Sequence, residues 1–232
     1  MKKGFLFSVL LLAAAAGYAQ VTVSTNNSQI YNSSNNRLPV VGGRPVDNTR
    51  EIALTEGSKF FQDEWQKTKP ISQQGAAYEE ISVRLNLMDN KVHYKDQSGK
   101  EQIVGSALGE LIFPQTATGK TVHFIHGSLL PTKDEAWYQL LVNDRLTLVK
   151  GFKKTLEEHT SYGSAPDYSI KTVESYYIFY KDQKTEVRKA ADLVKIVPEK
   201  KAEIDAFIKK SSDLSREDLL VAATTYANTL WK

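Results

Sequence analysis

Ile81-Ser82-Val83-Arg84-Leu85-Asn86-Leu87-Met88-Asp89-Asn90-Lys91-Val92-His93-Tyr94-Lys95 decides the fold class of this chain. Ile81, Val83, Leu85 and Leu87 alternate with Ser82, Arg84, Asn86 and Met88, the period of two expected of a half-buried strand. Asp89-Asn90 supplies a tight turn, and the next five residues alternate again, with Val92 and Tyr94 on one face and His93 on the other. The stretch is a hairpin. Asp96-Gln97-Ser98-Gly99 then turns the chain into residues 101–104, so residues 71–104 read as a meander of short antiparallel strands.

The same punctuation continues downstream. Strands are expected over 121–125, over 136–142, and over 146–149 after the Asn143-Asp144 turn. Residues 170–180 are the most β-prone stretch, and Asp182-Gln183-Lys184 turns them back into 185–188. The run Tyr176-Tyr177-Ile178-Phe179-Tyr180 is apolar on both faces, which predicts a central strand covered on both sides.

After Arg188 the period becomes helical. Ala190, Leu193 and Val197 form a short stripe that stops at Pro198. Ile204, Phe207 and Ile208 form a second, opened by Glu199 and closed by Lys209-Lys210, as the helix dipole favours. Ser215 with Asp218 resembles a capping box for a third helix, whose predicted stripe is Leu219, Ala223, Tyr226 and Leu230. Such a helical hairpin must cover an apolar face. The expected fold is therefore α+β: an antiparallel β-meander sheet with a C-terminal helical hairpin packed on it, in one domain over residues 55–232 with a helical tail over about 189–232.

The N-terminal segment reads differently. MKKGFLFSVLLLAAAAGYAQ (1–20) combines two lysines, an apolar run and a small-residue end at Gly17-Tyr18-Ala19, the pattern of a secretory signal. Cleavage after Ala19 is expected, with a periplasmic or secreted product that begins at Gln20 and keeps no transmembrane anchor, because the apolar run is too short to span a bilayer. No cysteine follows it to carry a lipid. Residues 20–54 are rich in Asn, Ser and Gly and read as a flexible leader; the alternative is that 21–25 or 39–41 adds an edge strand.

Composition excludes several classes. Loss of Lys2 and Lys3 with the signal takes the basic residues from 30 to 28 against 27 acidic ones, so electrostatic capture of nucleic acid is not indicated. The chain has no cysteine, which removes thiol catalysis, thiolate metal sites and disulfides. No cofactor is expected.

Individual motifs are weak. Pro114-Gln115-Thr116-Ala117-Thr118-Gly119-Lys120-Thr121 ends like a phosphate-binding loop but lacks the first glycine, and a strand rather than a helix is expected after it. Val122-His123-Phe124-Ile125-His126-Gly127-Ser128 looks like the strand and His-Gly turn of α/β-hydrolases, yet the chain has no Gly-x-Ser-x-Gly elbow. His123 and His126, three apart, fall on opposite faces of a strand and cannot grip one metal together without a bulge. The acidic pairs Asp63-Glu64, Glu79-Glu80, Asp134-Glu135 and Glu157-Glu158 fit solvated faces. Aromatic residues Trp65, Trp137, Tyr138, Tyr162, Tyr168, Tyr176, Tyr177 and Tyr180 fit core filling better than a platform for sugar or peptide. Trp137, Tyr138, Tyr162 and Tyr168 are the four candidates for a binding surface.

Gly57-Ser58-Lys59-Phe60-Phe61-Gln62-Asp63-Glu64-Trp65, followed by Val83-Arg84-Leu85-Asn86-Leu87 and a hairpin, resembles a group of uncharacterised exported β-rich proteins of Bacteroidota. Tyr226-Ala227-Asn228 stands near the group's Tyr-Asn ending. The resemblance implies export and a β-rich fold and carries over no catalytic residue. The expected function is thus a non-enzymatic envelope or secreted binding protein whose partner is an envelope component or a glycan. The alternatives are a carboxylate-dependent hydrolase of polysaccharide or peptide and a periplasmic carrier of an apolar ligand. A pocket holding a His-carboxylate pair would favour the hydrolase, exposed aromatics the binding protein, and a large lined cavity the carrier.

Overall fold

The computed structural model describes residues 44–46, 53–114, 119–160, 162–163 and 165–231, all within one compact unit. The expected signal and most of the leader, including 21–25 and 39–41, lie outside the described residues. Of the leader, Arg44 and Pro45 form a two-residue strand, β1 (Arg44–Pro45), on the edge of a five-stranded sheet. From that edge the order runs through β6 (Glu101–Ile103), β5 (Lys91–Lys95) and β4 (Ile81–Asn86) to β2 (Gln66–Thr68). The second sheet has seven strands, in the order β12 (Gln183–Val187), β11 (Asp167–Tyr180), β10 (Thr147–His159), β9 (Trp137–Val142), β8 (Val122–His126), β7 (Leu108–Phe113) and β3 (Ile71–Ser72). All strand pairs in both sheets are antiparallel. Short 3-10 turns and three helices follow: α1 (Leu193–Ile196), α2 (Lys201–Lys210) and α3 (Arg216–Thr229). No helix among the described residues is long and apolar enough to cross a membrane.

Two layers share one face of the large sheet. Val83, Leu85, Val92 and Tyr94 of the small sheet pack with Leu111, Phe113, Phe124 and Trp137 of the large one. Further along the same face, Leu148, Tyr176 and Ile178 meet Leu193, Ile204, Leu220 and Ala223 of the helical tail. Phe152, in the same row as Leu148, reaches the core between the sheets. The opposite face carries a smaller cluster of Leu130, Tyr138, Val149 and Phe179. Each fully buried large aliphatic side chain contributes roughly 1.5–3 kcal/mol, so the tail is an integral part of the core.

Three expectations need correction. Residues 71–104 are not one meander, because β3 joins the large sheet at the edge of β7 while β4, β5 and β6 build the small one. Period-two patterning marks which side chains turn inward and says nothing about which sheet a strand enters. The Tyr176-to-Tyr180 run is covered on both faces but is not central, lying one strand from the edge beside β12. On α3 the buried stripe is Leu220, Ala223, Thr224, Ala227 and Asn228, with Leu219, Tyr226 and Leu230 only half-buried. The helix is rotated because Tyr226 stacks on Phe207 of α2, with ring centroids 4.4 Å apart, and two polar residues turn inward. Ser215 caps α3 as read from the sequence, its Oγ accepting the Asp218 N–H.

Candidate functional site

The end of β8, the start of β9 and the turns above them enclose a cleft of about 220 Å³ between the two sheets. Its floor is Val92, Leu108 and Trp137, and its rim is Gln73, Asn90, Lys91, His126 and Glu135. The hairpin turn read from Asp89-Asn90 places two of these groups. Asn90 takes the left-handed conformation with φ 58°, and its Oδ1 accepts the Trp137 N–H at 3.3 Å, tying the small sheet to the large one. Trp137 is 3% exposed and meets the His126 ring edge-on, with centroids 5.0 Å apart.

His126 is buried and committed on its Nδ1 side. Ser128 Oγ lies 2.8 Å from Nδ1 and the Ser128 N–H donates to it at 3.3 Å, so His126 caps the short 3-10 turn of Gly127–Leu129. On its other side Nε2 lies 3.8 Å from Glu135 Oε2, and the Glu135 side chain is 93% exposed. Ser128, His126 and Glu135 thus stand in the order of a nucleophile, a base and an acid. A hydrolytic site also needs backbone donors aimed at an oxyanion. The Gly127 N–H is spent on Ala136 O at 2.8 Å, and the Ser128 N–H on the imidazole itself. The acid is beyond hydrogen-bond reach of the base. Gly127 is held close by this arrangement, since a Cβ there would stand 2.6 Å from the Asp134 carbonyl oxygen.

The other candidate aromatics are not gathered into a platform. Trp137 and Tyr138 are adjacent on β9 and therefore face opposite sides of the sheet, and both are buried. Tyr138 donates its hydroxyl to Asp134 Oδ2 at 2.7 Å, and Lys184 Nζ lies 4.6 Å from the Tyr138 ring centroid and 4.4 Å from that of Tyr177. Burial and the Asp134 carboxylate push the Tyr138 phenol well above its usual range. The protein's own ammonium occupies the ring faces that a ligand would need. Tyr162 is fully exposed at the tip of the β10–β11 hairpin, while Tyr168 is half-buried and its carbonyl accepts both the N–H and the hydroxyl of Thr55. Register pairs Tyr138 with Gly151 but Tyr168 with Glu158, seven residues along β10 and so about 24 Å away.

His123 and His126 do point to opposite sides of β8, and His123 Nε2 lies 2.6 Å from Glu110 Oε2 on β7. A strand begins two residues after Lys120, and residues 115–118 of the glycine-containing loop lie outside the described residues.

The outer face of the small sheet holds a second polar cluster that sequence reading did not assemble. Arg84 grips Glu101 through one guanidinium nitrogen, 2.8 Å from both carboxylate oxygens, and lies between the rings of Phe60 and Trp65, 4.0 and 4.3 Å from their centroids. His93 Nδ1 sits 2.6 Å from Glu101. Burial pushes the Glu101 carboxyl up, but the hydrogen bonds of His93 and Arg84 outweigh it and hold the group below its usual range. Residues 58–61 strap this cluster down: Phe61 N–H donates to Leu85 O, Leu87 N–H to Lys59 O, and Lys154 Nζ to the carbonyls of Ser58 and Phe60. The conspicuous Gly57-to-Trp65 stretch therefore serves this lid, with Gly57 at φ +81° against Ile170 O.

Of the cleft, Asn90, Lys91 and Val92 of the hairpin, His126, Glu135 and Trp137 stand out in the sequence. Gln73 carries no local signal, because its contribution arises from where two sheets meet. Comparison with protein-family models, with curated proteins and with solved structures finds no match to this chain.

Proposed function

We propose that the chain is an exported binding protein that holds a small polar ligand, a sugar unit of an envelope glycan, in the cleft between its two sheets. The observation that carries this reading is the combination of an apolar floor containing Trp137 with a rim of amide, ammonium, imidazole and carboxylate groups. A small apolar floor edged by convergent hydrogen-bonding groups suits a pyranose, which has an apolar face and a polar perimeter. Asn90 and Glu135 come from turns of different sheets, so a bound ring would bridge them.

The test is titration of the protein with an N-acetylglucosamine disaccharide and with a neutral glucose disaccharide, followed by calorimetry and tryptophan fluorescence. Saturable binding of one sugar is expected, weakened about tenfold by Glu135→Ala and by Gln73→Ala, each removing one polar contact worth about 1.4 kcal/mol. Binding that neither variant changes would remove the cleft from consideration.

A hydrolase is the second reading, and the 2.8 Å contact between Ser128 Oγ and His126 Nδ1 is what favours it. Release of p-nitrophenol from its acetate ester, abolished by Ser128→Ala, would move the assignment there.

A further inference from the structure

Resting on the sugar-binding reading of the cleft, we infer that its ligand is a neutral sugar recognised through one hydroxyl group, which accepts a hydrogen bond from His126 Nε2 and donates one to Glu135 Oε2. Both residues line the cleft. The proton of His126 is placed from the far side of the ring. A backbone N–H can only donate, and that of Ser128 points at Nδ1 from 3.3 Å, so Nδ1 presents its lone pair and the neutral imidazole carries its proton on Nε2. The Ser128 hydroxyl, 2.8 Å from Nδ1, turns its own proton toward the same lone pair. Ser128 is thus a positioning residue: it makes the buried His126 ring a donor toward the rim where Glu135 stands.

The spacing selects the ligand group. His126 Nε2 and Glu135 Oε2 are 3.8 Å apart, too far for a direct hydrogen bond. One oxygen about 2.9 Å from the nitrogen and about 2.7 Å from the carboxylate spans that gap with an angle of about 85° at the oxygen, which the exposed Glu135 side chain can open toward the tetrahedral value. The group must accept and donate at a single atom, and a hydroxyl does both. A trans amide turns its C=O and N–H in opposite directions, so an acetamido group at this position cannot serve two partners on one side. A uronate carboxylate could only accept, and it would face the Glu135 charge. The one ammonium on the rim, Lys91, already has Asp89 at 3.7 Å, so the rim holds no surplus of positive charge to attract an acid sugar.

The experiment uses the full mature chain, calorimetry and heteronuclear NMR of the imidazole. The probes are whichever of the two disaccharides binds, its monodeoxy analogues, and the uronate made by oxidising its terminal primary alcohol. One monodeoxy analogue is expected to bind about tenfold more weakly than its parent, and the uronate at least about tenfold more weakly. In Glu135→Ala, a substitution on the surface, the penalty at that one position should shrink to about threefold while the penalties at the other positions stay as they are. NMR at neutral pH should find the His126 proton on Nε2 and see that resonance shift as the sugar saturates the protein. A proton on Nδ1, a uronate bound as tightly as its parent, or deoxy penalties that Glu135→Ala leaves unchanged would overturn the hydroxyl assignment while leaving a sugar in the cleft. Failure of both disaccharides to bind would overturn the sugar-binding reading and the hydroxyl assignment with it.

Discussion

Asn228 on α3 satisfies both main-chain groups of Leu146 at the turn between β9 and β10: its Oδ1 accepts the Leu146 N–H at 2.8 Å and its Nδ2 donates to the Leu146 carbonyl at 3.0 Å. Both residues are buried, so neither backbone group has water to fall back on. Asn228→Ala should destabilise the protein by about 2–4 kcal/mol, since two buried groups lose their partners at about 1–3 kcal/mol each. Asn228→Leu should recover little despite its similar volume. Urea unfolding decides this, and a loss below about 1 kcal/mol in both variants would mean that the turn rearranges to find other partners.

The Lys154 ammonium offers a kinetic test of the strap. Its bonds to the Ser58 and Phe60 carbonyls hold residues 58–61 against β4. In Lys154→Met the apolar stem remains but both carbonyls lose their donor, and amide exchange at Phe61 and Leu87 should accelerate while that at Leu148 and Ile178 stays slow. Uniform acceleration would show that the strap opens only with the whole domain.

Glu101 should be the most sensitive carboxylate of the small sheet. Its removal leaves Arg84 without its carboxylate partner and the His93 Nδ1 unpaired. Glu101 is 30% exposed, which lowers the cost from that of a fully buried pair to about 2–3 kcal/mol for Glu101→Ala, read as a fall in unfolding midpoint. Glu101→Gln should cost less, because one acceptor remains.

Acid stability follows from Asp192. Lys195 and the backbone N–H groups of Arg188 and Lys189 hold its carboxyl at about 2, against an ordinary value of 3.8. A depressed carboxylate stabilises the fold fully above its unfolded value and loses that contribution as pH falls through its folded one. The stabilisation should therefore fade between pH 3.8 and about 2. The difference in melting temperature between wild type and Asp192→Asn should shrink across that window, and a constant difference would show that the Asp192 side chain acts through its hydrogen bonds without its charge.

Short-range order was readable from residues, and long-range assembly was not. The β4–β5 hairpin follows from alternation and Asp89-Asn90, and the start of α3 from Ser215, because those signals act within a few residues. The β10–β11 hairpin runs in register from Thr147 with Phe179 to His159 with Asp167, well beyond the 146–149 and 170–180 strands expected. Its outer half is charged and half-exposed, and it is held by backbone pairing to which hydropathy is blind. The sequence stripe points to Leu219 where the core takes Leu220, since one residue rotates a helical face by about 100° and only the partner settles which stripe wins. The cleft draws on residues from 73 to 137, and no local pattern could have joined them.

Pro45 gives β1 a meaning beyond its two residues. A proline has no backbone N–H to offer, and β1 is the outermost strand of the small sheet, whose other border, β2, is only three residues long. On the large sheet the borders are the two-residue β3 and β12, which reads Gln-Lys-Thr-Glu-Val and carries charges at Lys184 and Glu186. Among the described residues each border is thus too short or too charged to serve as a template on which another chain could extend the sheet. Borders of this kind resist filament growth by edge pairing, and Pro45→Val is the substitution that would begin to remove that resistance.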